Sequence, residues 1–297
     1  MKPAPFEYLA PGSIEEVLSI LQEHGSDAKL LAGGQSLVPM MNFRLAQPKL
    51  LVDLNKLSGL DSVSQNGEAV LRIGAMTRQR RLETDPLIAR WAPLLTEAMP
   101  HVAHSQIRNR GTLGGSLAHA DPAAELPVVG LALGARFKVR SAQDERWIRA
   151  RDFFYGLFTT ALMPNEILVE VEIPPMPPGT GWSFLEISPR RGDYAIMGVA
   201  ALVSLDAQMV CQNARLVYLN AGDGPVDAKE AARLLQGESP GEAVIEAAAA
   251  MAADQEIDPW GNVHASPAYQ RNLAKVLTRR ALKQAVERTT RQPAPSA

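Results

Sequence analysis

Four prolines in five positions, Pro174-Pro175-Met176-Pro177-Pro178, followed at once by Gly179-Thr180-Gly181, divide this chain in two. Proline has no N–H to give to a ladder or a helix and fixes its own φ, so no regular element runs through the stretch. The glycines behind it predict a flexible corner. A domain junction falls there, separating residues 1–176 from 177–290, with 291–297 read as a disordered tail. A chain of 297 residues is long enough for both parts to build a core.

Before the junction, helix and strand signals alternate. Ser13 stands ahead of the periodic run Ile14-Glu15-Glu16-Val17-Leu18 as an N-cap, with Glu16 at the capping-box position and Gly25 closing the helix. Residues 29–32 form a short apolar run that stops at Gly33-Gly34, and residues 50–54 read as a second strand beside it. This βαβ-like start predicts a small, mainly parallel sheet in a subdomain of about 1–57. A second subdomain, about 58–176, shows a strand over 69–75, helical periodicity over 86–99 and an apolar helix over 123–133. It continues with an antiparallel pair at 136–140 and 145–148, then a strand over 166–173. Beyond the junction, strands over 182–187, 195–205 and 214–219 precede helices over 228–235, 242–253 and 267–287.

Composition narrows the function. Cys211 is the only cysteine, so no intrachain disulfide exists, and any iron–sulfur centre must sit on another chain, because such clusters need several thiolates. Lys plus Arg (30) nearly balances Asp plus Glu (32), which argues against a general electrostatic grip on nucleic acid. No apolar signal core opens the chain and no run is long enough to span a bilayer, so a cytoplasmic location is expected. There is no Gly-x-Gly-x-x-Gly after a strand, no Walker lysine loop and no Gly-x-Ser-x-Gly elbow. His101 and His104 have no third ligand signal beside them and read as loop histidines; no metal site is assigned.

Two glycine-rich segments remain: Leu30-Leu31-Ala32-Gly33-Gly34-Gln35-Ser36-Leu37, and Thr112-Leu113-Gly114-Gly115-Ser116 continuing to Asp121-Pro122. Glycine at a turn lets backbone N–H groups approach an anion without a Cβ in the way, and the serines add hydroxyl donors. Two such cradles facing each other fit the diphosphate of a dinucleotide without a lysine; taken singly, each also reads as a plain tight turn. A third segment, Arg190-Arg191-Gly192-Asp193-Tyr194-Ala195, reads either as a charged turn or as an aromatic rim to a cofactor pocket.

In order and spacing these segments resemble the FAD-binding medium subunit of the molybdenum hydroxylases, the carbon monoxide, xanthine and nicotine dehydrogenase group. Further matching segments are Phe6-Glu7-Tyr8, Asp53-Leu54, Ile73-Gly74-Ala75-Met76-Thr77 and Ile107-Arg108-Asn109. The resemblance implies an α+β chain: two α/β-type subdomains of the vanillyl-alcohol oxidase and p-cresol methylhydroxylase type with FAD between them, then a C-terminal domain of three-stranded sheet plus helices. It implies that Leu30, Leu31, Ala32, Gly33, Gly34, Gln35, Ser36 and Leu37 wrap the diphosphate from one side, and Thr112, Leu113, Gly114, Gly115 and Ser116 from the other. Glu125 is implied as a cofactor contact, Leu168 as an apolar neighbour of the isoalloxazine, and Tyr194 as a cover for one ring face. Leu185 stands where certain relatives carry a lysine near the flavin.

The implied role is electron transfer with no catalytic side chain on this chain. A large partner subunit would carry the molybdenum cofactor, a small one 2Fe-2S clusters, and the assembly would be a dimer of heterotrimers. Two rivals stay open: a stand-alone flavin oxidase or dehydrogenase, and a non-enzymatic nucleotide-binding module. On the cradle reading, Gly34→Val or Gly115→Val ejects the cofactor by filling the space of phosphate oxygens.

Overall fold

The computed structural model describes residues 2–67 and 70–289, so the 291–297 tail and the start of the 69–75 strand lie outside the described residues. In the first lobe three parallel strands lie in the order Glu7–Leu9, Leu50–Asp53, Ala28–Leu31. Helix Ile14–His24 covers them, burying Val17, Leu18 and Leu21 against Leu50 and Val52. Ser13 caps the helix by accepting from the Glu16 N–H at 3.2 Å. The Glu16 carboxylate reaches back to the N–H of Gly12, one residue before the cap, at 2.9 Å. Gly25, at φ 51°, ends the helix.

The second lobe is an antiparallel sheet, ordered Val63–Gln65, Leu71–Gly74, Ile167–Ile173, Arg136–Arg140, Glu145–Arg149. Its central strand, Ile167–Ile173, joins two cores. Ile167 and Val169 pack into the first lobe, whereas Leu168, Val171 and Ile173 pack into the second. The odd-numbered residues change face because a register shift falls between Leu168 and Glu170. Glu172, 1% exposed on the other face, is paired with both Arg72 and Arg136. The periodic stretch 86–99 is two helices, Pro86–Trp91 and Pro93–Ala98, because Pro93 cannot donate to the turn before it.

In the third lobe Thr180–Ile187, Met197–Leu205 and Cys211–Leu219 form an antiparallel sheet with a two-residue edge strand, Val226–Asp227. One face packs on helix Pro267–Thr289 and the other on helix Glu125–Ala132 of the second lobe. Both faces are thus buried, which explains the unbroken apolar run 197–203 and why every residue of helix Glu125–Ala132 is buried. The corner after the prolines is packed, not loose: a Cβ on Gly181 would come within 1.8 Å of the Ala285 carbonyl oxygen. Glycine there serves close approach of the C-terminal helix.

Candidate functional site

The strand Ala28–Leu31 ends where the chain must turn back toward the short helix Leu37–Asn42, and Gly34 makes that turn at φ 74°. Gly33 sits directly against the second lobe, where a Cβ would lie 2.4 Å from the Arg110 carbonyl oxygen. Among the described residues, the N–H groups of Gly33, Gly34, Gln35 and Ser36 have no acceptor. Gln35 instead folds its side-chain amide onto the Gly33 carbonyl at 3.0 Å. Ser36 precedes the helix without a side-chain capping bond, so its hydroxyl is also uncommitted. A cavity of about 400 Å³ opens over this loop, lined by Leu31 to Gln35, Val38, Pro39, Ile107 and Arg110.

The second glycine segment meets the first but is built differently. Thr112 caps helix Leu113–His119, its hydroxyl accepting from the Gly115 N–H at 3.1 Å. Leu113 and Gly114 donate to the carbonyls of Thr77 and Ala75, and Ser116 to that of Thr112. The backbone donors of 113–116 are therefore already used, unlike those of 33–36. These glycines permit contact: a Cβ on Gly114 would lie 2.6 Å from Ala75, and one on Gly115 would meet Thr112 Oγ1 at 2.7 Å and Ala32 at 3.3 Å. Likewise a Cβ on Gly34 would meet Leu31 and Val38. Valine at 34 or 115 would thus meet protein atoms in its own right.

A polar tie, missed in the sequence, holds the two segments in register. Asn55 donates to the Ala32 carbonyl at 2.9 Å and to Asp53, while Arg78 donates to Asn55 Oδ1 at 2.6 Å and to the Arg110 carbonyl. Tyr8 donates to Asp53 at 2.6 Å. Burial alone would raise the Asp53 carboxyl, but hydrogen bonds from Tyr8 and Asn55, with the charge of Arg110, hold it below its ordinary value. Arg110 itself makes no side-chain hydrogen bond or close ion pair among the described residues. The signal available in sequence was the pair of basic residues, Arg108 and Arg110, just ahead of Gly111.

The remaining expected residues lie elsewhere around the same segment. Gly192, at φ 89°, brings its turn against His104, and Tyr194 on that turn is 71% exposed. Glu125 is nine-tenths buried, in electrostatic contact with Asp121 and Arg108. Tyr194 shares Asp121 and Glu125 as neighbours, so these groups come together. Leu168 does not line the cavity; it is 5% exposed, inside the core of the second lobe. Leu30 packs on the first-lobe core and Leu37 is half-buried. His101 packs on Phe184, 5.3 Å between ring centroids.

Uncommitted N–H groups, a free hydroxyl and an unpaired guanidinium around one cavity form a donor set for a multiply charged anion, the chemistry a diphosphate requires. Residues 4–176 match the FAD binding domain in molybdopterin dehydrogenase, and residues 182–285 match the CO dehydrogenase flavoprotein C-terminal domain. The chain belongs to this family of FAD-binding medium subunits of molybdenum hydroxylases, and is an oxidoreductase component with FAD as its cofactor.

Among relatives, it is 44% identical to the 6-hydroxypseudooxynicotine dehydrogenase complex subunit alpha of Paenarthrobacter nicotinovorans, over 97% of both chains. The solved carbon monoxide dehydrogenase of Hydrogenophaga pseudoflava superposes with a TM-score of 0.93 at 35% identity, over 97% of this chain and 99% of that one. Quinoline 2-oxidoreductase of Pseudomonas putida 86 does so at 0.91 and 39% identity, over 97% and 99%. The α+β architecture with a C-terminal flavoprotein domain, as the resemblance implied, is the fold of these chains. Among the described residues no helix is long and apolar enough to cross a membrane.

Proposed function

We propose that this chain is the electron-transfer subunit of a cytoplasmic three-subunit molybdenum hydroxylase or dehydrogenase, assembled as a dimer of heterotrimers. When bound, FAD supplies the redox chemistry, accepting electrons from 2Fe-2S clusters of a small subunit that drains a large molybdenum subunit, and yielding them to an external acceptor. The protein's part is to bind, orient and shield.

The observation that carries this reading is the loop after strand Ala28–Leu31, where the N–H groups of 33–36 have no acceptor among the described residues and Ala32 to Gln35 line one cavity with Arg110. Leu30 to Leu37 hold the diphosphate, chiefly through the N–H groups of 33–36. Thr112 to Ser116 fix the distance between the lobes, and the Ser116 hydroxyl adds a donor. Glu125 and Leu168 border the flavin end, and exposed Tyr194 covers a ring face. In this reading residues 1–57 and 58–176 are the two FAD-binding subdomains and 177–290 the C-terminal domain.

The experiment is co-expression with the neighbouring small and large subunits, beside purification of this chain alone. The isolated chain should take up FAD stoichiometrically yet oxidise no substrate, and the three-subunit complex should. Substrate oxidation by the isolated chain would favour the stand-alone oxidase, and a chain that retains no flavin once excess FAD is removed would favour a module for another phosphate ligand.

A further inference from the structure

Glu186 lies two residues beyond Phe184 on the strand Thr180–Ile187. Side chains two apart share a strand face, and Phe184 belongs to the core shared with the second lobe. Glu186 therefore points toward helix Glu125–Ala132, away from the C-terminal helix. Its strand partner is Gly198, which has no side chain to shield it. Its Oε2 is buried with no hydrogen-bond partner. Glu125, the first residue of that helix, is 9% exposed and receives no hydrogen bond from another residue's side chain among the described residues.

Among the described residues, Arg108 is the one cation whose charge acts on Glu125, and none acts on Glu186. Glu125 is faced by Asp121, Tyr194 and Arg108. Arg108 is already held by both oxygens of Glu83, at 3.0 and 3.2 Å, and by the carbonyls of Val102 and Ala103. Glu186 has Glu125 as its charged neighbour. His101, against the Phe184 ring, has Arg191 and Glu97 as its neighbours instead. Burial disfavours the charged form of each carboxyl, and the charge of Glu125 adds to that cost at Glu186. Burial, with the charge of Glu125, pushes Glu186 up to about 9, and burial raises Glu125 to about 7.

We propose that Glu125 and Glu186 form one proton-holding pair beside the cofactor site, sharing a single negative charge at neutral pH with Glu186 as the protonated member. The pair stands on the protein's own geometry; only its link to the cofactor rests on the proposed function, which sets FAD beside Glu125. A pair that changes protonation near neutrality is linked to any charge change next to it, so it contributes to the pH dependence of the FAD midpoint potential.

Infrared spectroscopy of the full chain, with and without FAD, reads the pair directly. At neutral pH the wild type should show a carboxylic-acid carbonyl band that moves in D₂O, is clearly weaker in Glu186→Gln, and fades as pH is raised. In Glu125→Gln the band should fade at lower pH, because the like charge that sustains it is gone. A wild type with no such band, or a band unchanged in Glu186→Gln, overturns the pair even if that variant folds poorly. An equal titration in Glu125→Gln and wild type overturns the sharing. Spectroelectrochemistry of the FAD-loaded chain should find that Glu186→Gln flattens the potential-versus-pH curve; unchanged slopes overturn the cofactor link. Failure of the wild type to take up FAD at all would instead strike the proposed function and leave the infrared result standing.

Discussion

Among the described residues, Arg110 is the only charged side chain lining the cavity over the glycine loop. With no side-chain hydrogen bond or ion pair within 4 Å among the described residues, its guanidinium donors are open to an incoming phosphate, and a charge-assisted hydrogen bond of that kind contributes about 1.5–3 kcal/mol. Arg110→Met should therefore weaken FAD binding about tenfold or more, read by flavin fluorescence titration of the FAD-free chain. An unchanged affinity would remove Arg110 from the site. Glu186 makes a separate prediction in the same FAD-free protein. Its folded carboxyl, raised to about 9, keeps a proton that the unfolded chain releases near its ordinary 4.5. The folded state thus binds the extra proton between those values, and stability falls as pH rises through the interval. At about 1.4 kcal/mol per unit, on the order of 3 kcal/mol is lost by pH 7. Glu186→Gln cannot ionise, so its melting temperature should fall much less than the wild type's between about pH 5 and pH 9. Parallel curves would show that Glu186 titrates as in the unfolded chain.

Helix Leu113–His119 is short, and its start depends on Thr112, which satisfies the Gly115 N–H while Ala75 and Thr77 take the two donors before it. Thr112→Val keeps the shape but removes the acceptor, and should cost about 1 kcal/mol in denaturant unfolding. A Thr112→Ser variant should recover most of it; no loss in the valine variant would mean water serves the Gly115 N–H equally well. Local elements of this kind were legible in sequence because a cap, a glycine or a proline imposes its geometry on the next few residues. Ser13, Gly25 and the turn between residues 140 and 145 fall as read, and Pro93 shows the same rule cutting an expected helix in two. The first glycine segment was legible as a turn, whereas the second proves to be the start of a helix. What could not be read was which N–H groups stay free. That depends on Thr77, Ala75 and Asn55, which reach the site through sheet register and lobe packing, and no local pattern records those. The Glu125–Glu186 approach was hidden for the same reason, since the two residues belong to different lobes.

At the scale of the whole molecule, the proline stretch separates segments of chain but not cores. Phe184, Ala195, Ala200, Val217 and Leu219 from beyond it lie in the same apolar cluster as Leu95, Val128 and Phe137 from before it. Glu97 ties the same boundary: it accepts from Trp182 Nε1 and the Phe184 N–H, each at 3.0 Å, and from Arg288 of the C-terminal helix at 2.5 Å. A lobe cut off at residue 176 would bare the side of helix Glu125–Ala132 that packs on the third-lobe sheet, and exposed apolar surface of that kind drives association. The expectation is a fragment 1–176 that binds a hydrophobic dye, aggregates and holds FAD weakly, although it contains every residue that lines the cavity. The intact chain should melt in one cooperative calorimetric transition, because the second and third lobes cannot open apart without exposing their common core. Two resolved transitions, or a monomeric fragment that binds FAD as the full chain does, would show that the shared cluster does not couple the lobes and that the proline corner is a true boundary of folding.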